Sequence, residues 1–581
     1  MASFPTPQQY VFNTFKGIRT RNGIAGNGTI SATVCQNVDF IPSSYDSSIN
    51  ICTTLGNYAI GTYTEKIYAY IYDTHIIYTR TTTITENTAL LEEDETVTTD
   101  NNWTIDGSTI KYDGNNASRE ENADITLSGN CIKGFDTQQE GLHYLLLYIE
   151  DDNNGRLVFF NTVNNTFYTL IANLTRTSQA NGITMVDNAY DTFIFTNGVE
   201  YYSVRLYPST TITQLNPLYD GNAVTGLALC EQDGSLVIGC NEGVVLASRK
   251  GDIEDFDYNA AQDDTKPWYQ LFGKGVTAVV PYIDALLVFT PEDSTVLSGN
   301  FSNPANATRA DASLGGCMSF ESWCKHDKYL FFYDNRQKNI YYYMQNNYGQ
   351  KVLGEPIAPE VQKFFNNVSK LQMVSYIGNN RSEIWLLSNN FKLIYDYYVS
   401  EWTERTGQEL TSYFVFDNDV YSTGGSKCLK EKAGNICKFD NVFYPANYTM
   451  QIINLGSFSN AKEMDIYPLL SVTQDYNNSF YFDCLVDGKK NKSKIVSMYL
   501  QGAIWADDTP QTPETPDDEL WDLQTFPNED NTHIQQIKGK IIPFWYYLQF
   551  TIRTEKAGDD FSISCFEIKG ITQEYDTIGR K

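Results

Sequence analysis

LLLYIE at Leu145–Glu150, a polar turn and then RLVFFN at Arg156–Asn161 make one unit, an apolar strand followed by a second one. The unit returns along the chain. TFIFTN (Thr192–Asn197) is followed by VEYYSV, SLVIGC (Ser235–Cys240) by VVLAS, and ALLVFT (Ala285–Thr290) by TVLSG. YLFFYD (Tyr329–Asp334) is followed by IYYYM, and EIWLLS (Glu383–Ser388) by LIYDYY. With Leu145, Phe193, Leu236, Leu286, Leu330 and Ile384 as anchors, the spacings are 48, 43, 50, 44 and 54 residues. An earlier member sits near Tyr68 and a later one near Phe414. Runs of Tyr, Phe, Ile, Val and Thr cut by Asn, Asp and Gly read as strands and turns. A unit of about 40–50 residues with about four short strands cannot bury both of its faces alone, so such units stack radially. The reading is all-β: a β-propeller over residues 45–420 with an additional C-terminal β-sandwich-like domain over 421–581. A string of sandwiches with strands every ~8–12 residues is the rival architecture. Helical periodicity is scarce, and its best stretch is Pro359–Val368.

Two segments break the pattern. Residues 81–136 are polar and acidic and read as an arm inserted between blades. Residues 506–530 form an acidic, Pro-rich excursion from the C-terminal domain. Between Asp507 and Asp522 it holds seven carboxylates, three prolines and no basic residue. The prolines bar helix and ladder, and the charges repel one another. Residues 1–44 read as an N-terminal arm with the first strands.

Composition narrows the function. At about 150 residues per domain, 581 residues allow three to four domains, or one large β-domain and a companion. The formal net charge is −29, which repels phosphate and argues against a general surface that grips duplex DNA or anionic lipid. A hydrophobic fraction of 41% with 14% aromatics implies a sizeable core. No apolar run reaches the ~18 residues of a membrane helix, so no membrane insertion is expected. The opening MASFPTPQQY has neither a basic nor an apolar region of an export signal, which predicts synthesis in, and folding within, a cytoplasm. Eleven cysteines without a short framework read as reduced, buried thiols.

Catalytic inventory is thin. The four histidines, His75, His143, His326 and His533, lie in different parts of the repeat. Cys317, Cys324 and His326, and Cys428 with Cys437, lack the close C-x-x-C spacing of a structural zinc site, and no metal or other cofactor is expected. EDDNNG (Glu150–Gly155) has an outline of a calcium loop, but Asn161 stands where a bidentate Glu belongs, and a polar hairpin turn is the better reading. There is no nucleophile elbow, phosphate loop or zinc-protease motif. Asn-x-Ser/Thr matches such as those at Asn164 and Asn173 follow from composition. The expectation is a non-enzyme.

GVVLASRKGDIEDFDYN (Gly243–Asn259), followed by VTAVVPYIDALLVFTPEDSTVLSGN (Val276–Asn300), resembles the nozzle, or tail tubular B, proteins of short-tailed bacteriophages. That family has an S-R-x-G-D turn after an aliphatic strand and a hairpin ending in VLSG further on; the Leu286–Gly299 hairpin is the most specific match. NIYYYMQNNYG (Asn339–Gly349) and LIYDYYVSEWTERTG (Leu393–Gly407) are similar to blade strands of the family. VCQNVDF (Val34–Phe40), INLGSFSNAKEMDIYPLL (Ile453–Leu470) and FTIRTEKAGDDFSISCFEIKG (Phe550–Gly570) resemble segments of related tail hub or stabilisation proteins. The acidic excursion departs from the family pattern. The Asn-, Tyr- and Ile-rich composition suits a phage of an AT-rich gut bacterium, including a crAss-like one.

The resemblance implies a virion tail protein with no catalytic residues. It implies a hexameric ring below portal and adaptor, other tail proteins as partners, and DNA passing without specific binding. The acidic balance agrees, since carboxylates around a bore let phosphate slide. The alternative is a glycan-binding or glycan-cleaving tail propeller acting on the host envelope. A candidate partner-docking segment comprises Trp505, Asp507, Asp508, Asp517, Asp518, Glu519, Trp521 and Phe526. Aromatics there bracket carboxylates, which suits docking against a neighbouring subunit or a second tail protein.

Overall fold

The structure, a computed structural model, describes residues 8–19, 28–42, 47–60, 62–72, 75–82, 103–106, 109–112, 117–124, 127–161, 166–258, 265–282, 284–303, 307–345, 351–354, 356–378, 380–440, 442–452, 461–464, 467–473, 479–486, 489–497, 532–536, 548–556, 559–570 and 572–575. Antiparallel sheets carry the repeats. Blade 1 is Asn130–Gln139, Leu142–Glu150, Gly155–Asn161 and Thr166–Leu174. Blade 2 is Asn181–Asp187, Tyr190–Thr196, Tyr201–Arg205 and Thr211–Leu215. Blade 3 is Ala228–Gln232, Ser235–Gly239, Val244–Ala247 and Trp268–Leu271. Blade 4 is Ala278–Tyr282, Ala285–Phe289, Asp293–Gly299 and Ala307–Gly315. Blade 5 is Trp323–His326, Tyr329–Asp334, Asn339–Gln345 and Lys351–Leu353. Blade 6 is Leu371–Gly378, Arg381–Ser388, Lys392–Asp396 and Glu401–Glu404. Blade 7 is Ser412–Phe416, Asp419–Gly424 and Lys427–Ile436, and Leu55–Ala59 supplies its fourth strand.

The continuous apolar runs have a simple cause, because a blade is covered on both faces. In blade 1, Leu145, Leu147 and Ile149 pack with Phe414 and Tyr421 of blade 7, while Leu146 and Tyr148 pack with Phe193 and Phe195 of blade 2. In blade 4, Leu286 and Val288 join the core shared with blade 3, and Leu287 and Phe289 the core shared with blade 5. Among the described residues seven apolar cores, one at each blade-to-blade junction, close the ring. The predicted propeller is present, and each of the six anchors lies on the second strand of its blade. The helix-like stretch is a 3-10 helix, Pro359–Asn367, with Val361 and Phe365 buried.

The ring is closed by a strand from the other end of the chain. Leu429, Lys430 and Glu431 pair antiparallel with Ala59, Tyr58 and Asn57. The boundaries therefore differ from those expected. The ring takes in Leu55–Ala59 and Asn130–Ile436 rather than 45–420, so the expected boundary at 421 cuts through blade 7. The strand around Tyr68 is not a blade: Thr62–Tyr72 pairs with His75–Thr82 and Ala117–Asp124 in a separate three-stranded sheet. The excursion from the ring thus runs from about Thr62 to Asp124, and the expected arm's last residues, from Asn130, are blade 1's first strand.

The expected first strands are present within residues 1–44, and they join the C-terminal domain's sheet. Gln8–Ile18, Gly28–Gln36 and Ile49–Thr53 share one sheet with Asn447–Met450, Tyr467–Thr473, Ser479–Val486, Leu548–Arg553 and Ser562–Gly570. The C-terminal β-domain is built from both ends of the chain, and the parallel bridge Gln36↔Glu404 joins it to the outer edge of blade 6. Phe15, Tyr448, Phe482, Phe550 and Phe566 share a core with Ile384, Leu393 and Trp402 of that blade. Gly17 permits the approach: a Cβ there would stand 2.2 Å from the Trp402 carbonyl oxygen. The Gly17 N–H donates to Glu401 (2.9 Å), and Arg19 pairs with the same carboxylate at 2.9 Å.

Candidate functional site: the propeller axis

The first strand of each blade pairs on one side alone, so its other edge turns towards the axis, where the seven first strands converge. The axis is not an open pore. The loop between blades 4 and 5 carries Phe320 and Glu321 into it, and Lys133 of blade 1 donates to Glu321 at 2.6 Å. The same ammonium lies 4.7 Å from the centre of the Phe320 ring. Gln372 of blade 6 donates to the Tyr413 carbonyl of blade 7 (3.0 Å) and accepts from the Tyr413 N–H (2.7 Å). Its amide also reaches Glu321 at 3.4 Å. Burial lowers the pKa of Lys133, and Glu321 opposes that shift by favouring the charged form.

This cross-brace fills the side of the axis nearest blades 1, 6 and 7. On the other side a cavity of about 410 Å³ remains, walled by the first strands of blades 2 to 5 and by Phe320. Cys230, Glu231, Trp323 and Lys325 face it, together with Asn181 and Thr184. A second hollow of about 420 Å³ lies between blades 3 and 4. Trp268 and Phe301 line it, their rings 5.2 Å apart, with Asp233, Lys250, Asp284 and Asn300 around them.

Residues singled out in the sequence are scattered. His326 is buried between two hydroxyls, Ser375 Oγ at 2.9 Å and Ser382 Oγ at 2.7 Å, and burial lowers its pKa. Cys317 reaches the Ser319 carbonyl and the Ser322 hydroxyl, and burial pushes its thiol up to about 11. Cys428 and Cys437 are also free, buried thiols. His143 faces Asp136 across the first hairpin of blade 1 at 2.8 Å. The EDDNNG segment is a polar turn in which Asp151 accepts the N–H groups of Asn153 and Asn154. Among the described residues no three His, Cys, Asp or Glu side chains converge as metal ligands would. Asn164 and the docking segment, Trp505, Asp507, Asp508, Asp517, Asp518, Glu519, Trp521 and Phe526, lie outside the described residues. His75 and His533 lie on strands whose side chains are likewise not described.

The axial residues Lys133, Glu321, Lys325 and Gln372 were not singled out in the sequence. Three of them sit on first strands, which precede the apolar runs that reveal the repeat. The one available signal was SFESW (Ser319–Trp323), a polar interruption directly before a blade.

No family model matches the chain, and no curated protein matches it. Among solved structures it is similar to the WD40 β-propeller domain of Doa1, at 10% identity over 52% of this chain and 95% of that one, with a TM-score of 0.33. It is similar to a chain of a mitotic checkpoint complex, at 12% identity over 49% of this chain and 85% of that one (TM-score 0.32). It is also similar to YCF48 bound to a D1 peptide, at 12% identity over 53% of this chain and 94% of that one (TM-score 0.33). At such scores these likenesses carry no functional argument, and the propeller rests on the strand pairings above.

Proposed function

We propose that this chain is a non-enzymatic structural subunit of a bacteriophage tail, a nozzle or hub component that assembles into a ring and lines part of the DNA-ejection conduit. The supporting observation is the braced axis. Lys133 and Glu321, 2.6 Å apart, tie blade 1 to the loop between blades 4 and 5 across the propeller's centre, and on this reading the conduit lies between copies of the chain and not within one. The β-domain built from both chain ends offers a second body beside each propeller for such a ring. The net charge of −29 favours a wall along which phosphates slide. Portal, adaptor and other tail proteins are the partners on this reading, and the virion tail is the location. Among the described residues no helix is long and apolar enough to cross a membrane.

The test is direct. Antibody against the chain should label the tails of phage particles encoding it in negative-stain micrographs, and native mass spectrometry should give a closed oligomer. Particles that are unlabelled, with a chain that stays monomeric at all concentrations, would overturn the proposal. The hollow between blades 3 and 4 favours a second reading, in which the propeller binds or cleaves host-envelope glycans: an aromatic pair beside carboxylates is the usual chemistry of a sugar site. Release of reducing sugar from envelope glycans, lost in Asp233→Asn and Asp284→Asn, would select it.

A further inference from the structure

The axial cavity has the size of a small-ligand site, within the range of about 300–1,000 Å³. Phe320 lies on its wall, and the neighbouring Glu321 is held by Lys133 and Gln372. Most of its polar groups are already engaged. Asn181 donates to the Leu227 carbonyl at 2.6 Å and accepts from the Gly182 N–H at 2.9 Å. Thr184 donates to Thr137 at 2.8 Å.

Lys325 is different. Lys133, Lys430 and Lys432 each hold a carboxylate within 3.1 Å, whereas the Lys325 ammonium has no hydrogen bond or ion pair among the described residues. The side chain is exposed at the mouth of the cavity, so its ammonium is hydrated and open to a ligand there. Burial lowers its pKa, as expected of an ammonium still lacking its counter-ion, while Cys230 and Glu231 pull the other way. Beside it stand the rings of Trp323 and Phe320, which offer apolar faces. Glu231 lies on the same wall, and one of its oxygens accepts the Gly234 N–H at 2.7 Å. The pocket thus presents one open cation, an aromatic surface and one anion.

We infer that the axial cavity binds a small monocarboxylate with an apolar body, Lys325 holding the carboxylate, Trp323 and Phe320 the body, and Glu231 excluding a second negative charge. This site stands apart from the tail reading, since it concerns the single propeller and no particle.

The probes are phenylacetate, its uncharged amide phenylacetamide, and the dianion phenylmalonate, titrated against the full chain by tryptophan fluorescence and calorimetry. Phenylacetate should bind, with both other probes about tenfold weaker or more, because a charge-assisted hydrogen bond is roughly twice as strong as a neutral one. Lys325→Met should weaken phenylacetate by a similar factor without moving the melting temperature, since Lys325 is exposed. Glu231→Gln should restore phenylmalonate binding. No saturable signal with phenylacetate at about 10 mM, above the millimolar dissociation constants of weak specific sites, would overturn the inference. So would equal binding of acid and amide, or wild-type affinity in Lys325→Met.

Discussion

Asp396 shows how a fold can hold a group in an uncomfortable charge state. It ends the third strand of blade 6 and accepts the N–H groups of Tyr398 at 3.0 Å and Val399 at 3.2 Å. Burial outweighs these donors and pushes its pKa from 3.8 to about 6. The folded chain therefore binds this proton more tightly than the unfolded chain does. The group's contribution to stability is full below about pH 4 and lost as pH rises through about 6. Asp396→Asn keeps an acceptor oxygen and drops the charge. It should raise the melting temperature at pH 7.5, by the equivalent of about 1–2 kcal/mol, and leave it unchanged at pH 3.5. A variant no more stable at pH 7.5 would contradict the shift. Glu431 is the opposite case, a buried carboxylate fully served. It accepts from Asn57 at 2.7 Å and from Ser422, and it pairs with Arg405, whose guanidinium is 4% exposed. Glu431→Gln leaves that guanidinium uncompensated and should cost about 3–5 kcal/mol in urea unfolding. Adding Arg405→Met should recover part of the loss. Neither role was legible in the sequence, where 71 carboxylates look alike and only tertiary burial separates them.

At the scale of elements, the repeat was readable for a physical reason. A strand covered on both faces has no polar positions to spare, so LLLYIE and ALLVF stand out as unbroken apolar runs against polar turns. First and fourth strands have one freer edge or face and carry mixed sequences, as in TITQL (Thr211–Leu215), which is mostly exposed. They were accordingly harder to assign. The ring-closing strand Leu55–Ala59 was invisible for another reason: its partner lies some 370 residues away, and no local pattern encodes that distance. Asn57 is its anchor, donating to Glu431 and accepting from the Asp440 N–H at 2.8 Å. Asn57→Ala should cost about 1–3 kcal/mol, since it strands buried polar groups. In hydrogen exchange the amides of Lys427–Ile436 should speed up well before those of Ser235–Gly239. Uniform acceleration around the ring would deny that this strand is the latch.

For the whole molecule, the acidic excursion offers the sharpest test of assembly. Removing residues 507–530 should leave the melting temperature of the isolated chain within a few degrees and should impair its incorporation into particles; an unfolded chain, or normal particles, would refute a docking role. The same scale separates two kinds of knowledge. Composition and spacing alone determined an acidic all-β chain and favoured a radial stack of blades over a string of sandwiches, because apolar periodicity is a local consequence of two-sided burial. Only the tertiary structure decided that both ends of the chain meet: in blade 7, where Leu55–Ala59 completes the sheet, and in the β-domain, where Gln8–Ile18 pairs antiparallel with Ser562–Gly570. It alone decided that Phe320, Glu321 and Lys133 brace one side of the axis while Lys325, beside the cavity on the other, has no ion pair among the described residues. Ladder hydrogen bonds are made by the backbone, which every residue shares, so the identity of a distant partner strand is not written in either strand. It is settled by which apolar faces remain to be covered once the local hairpins have formed.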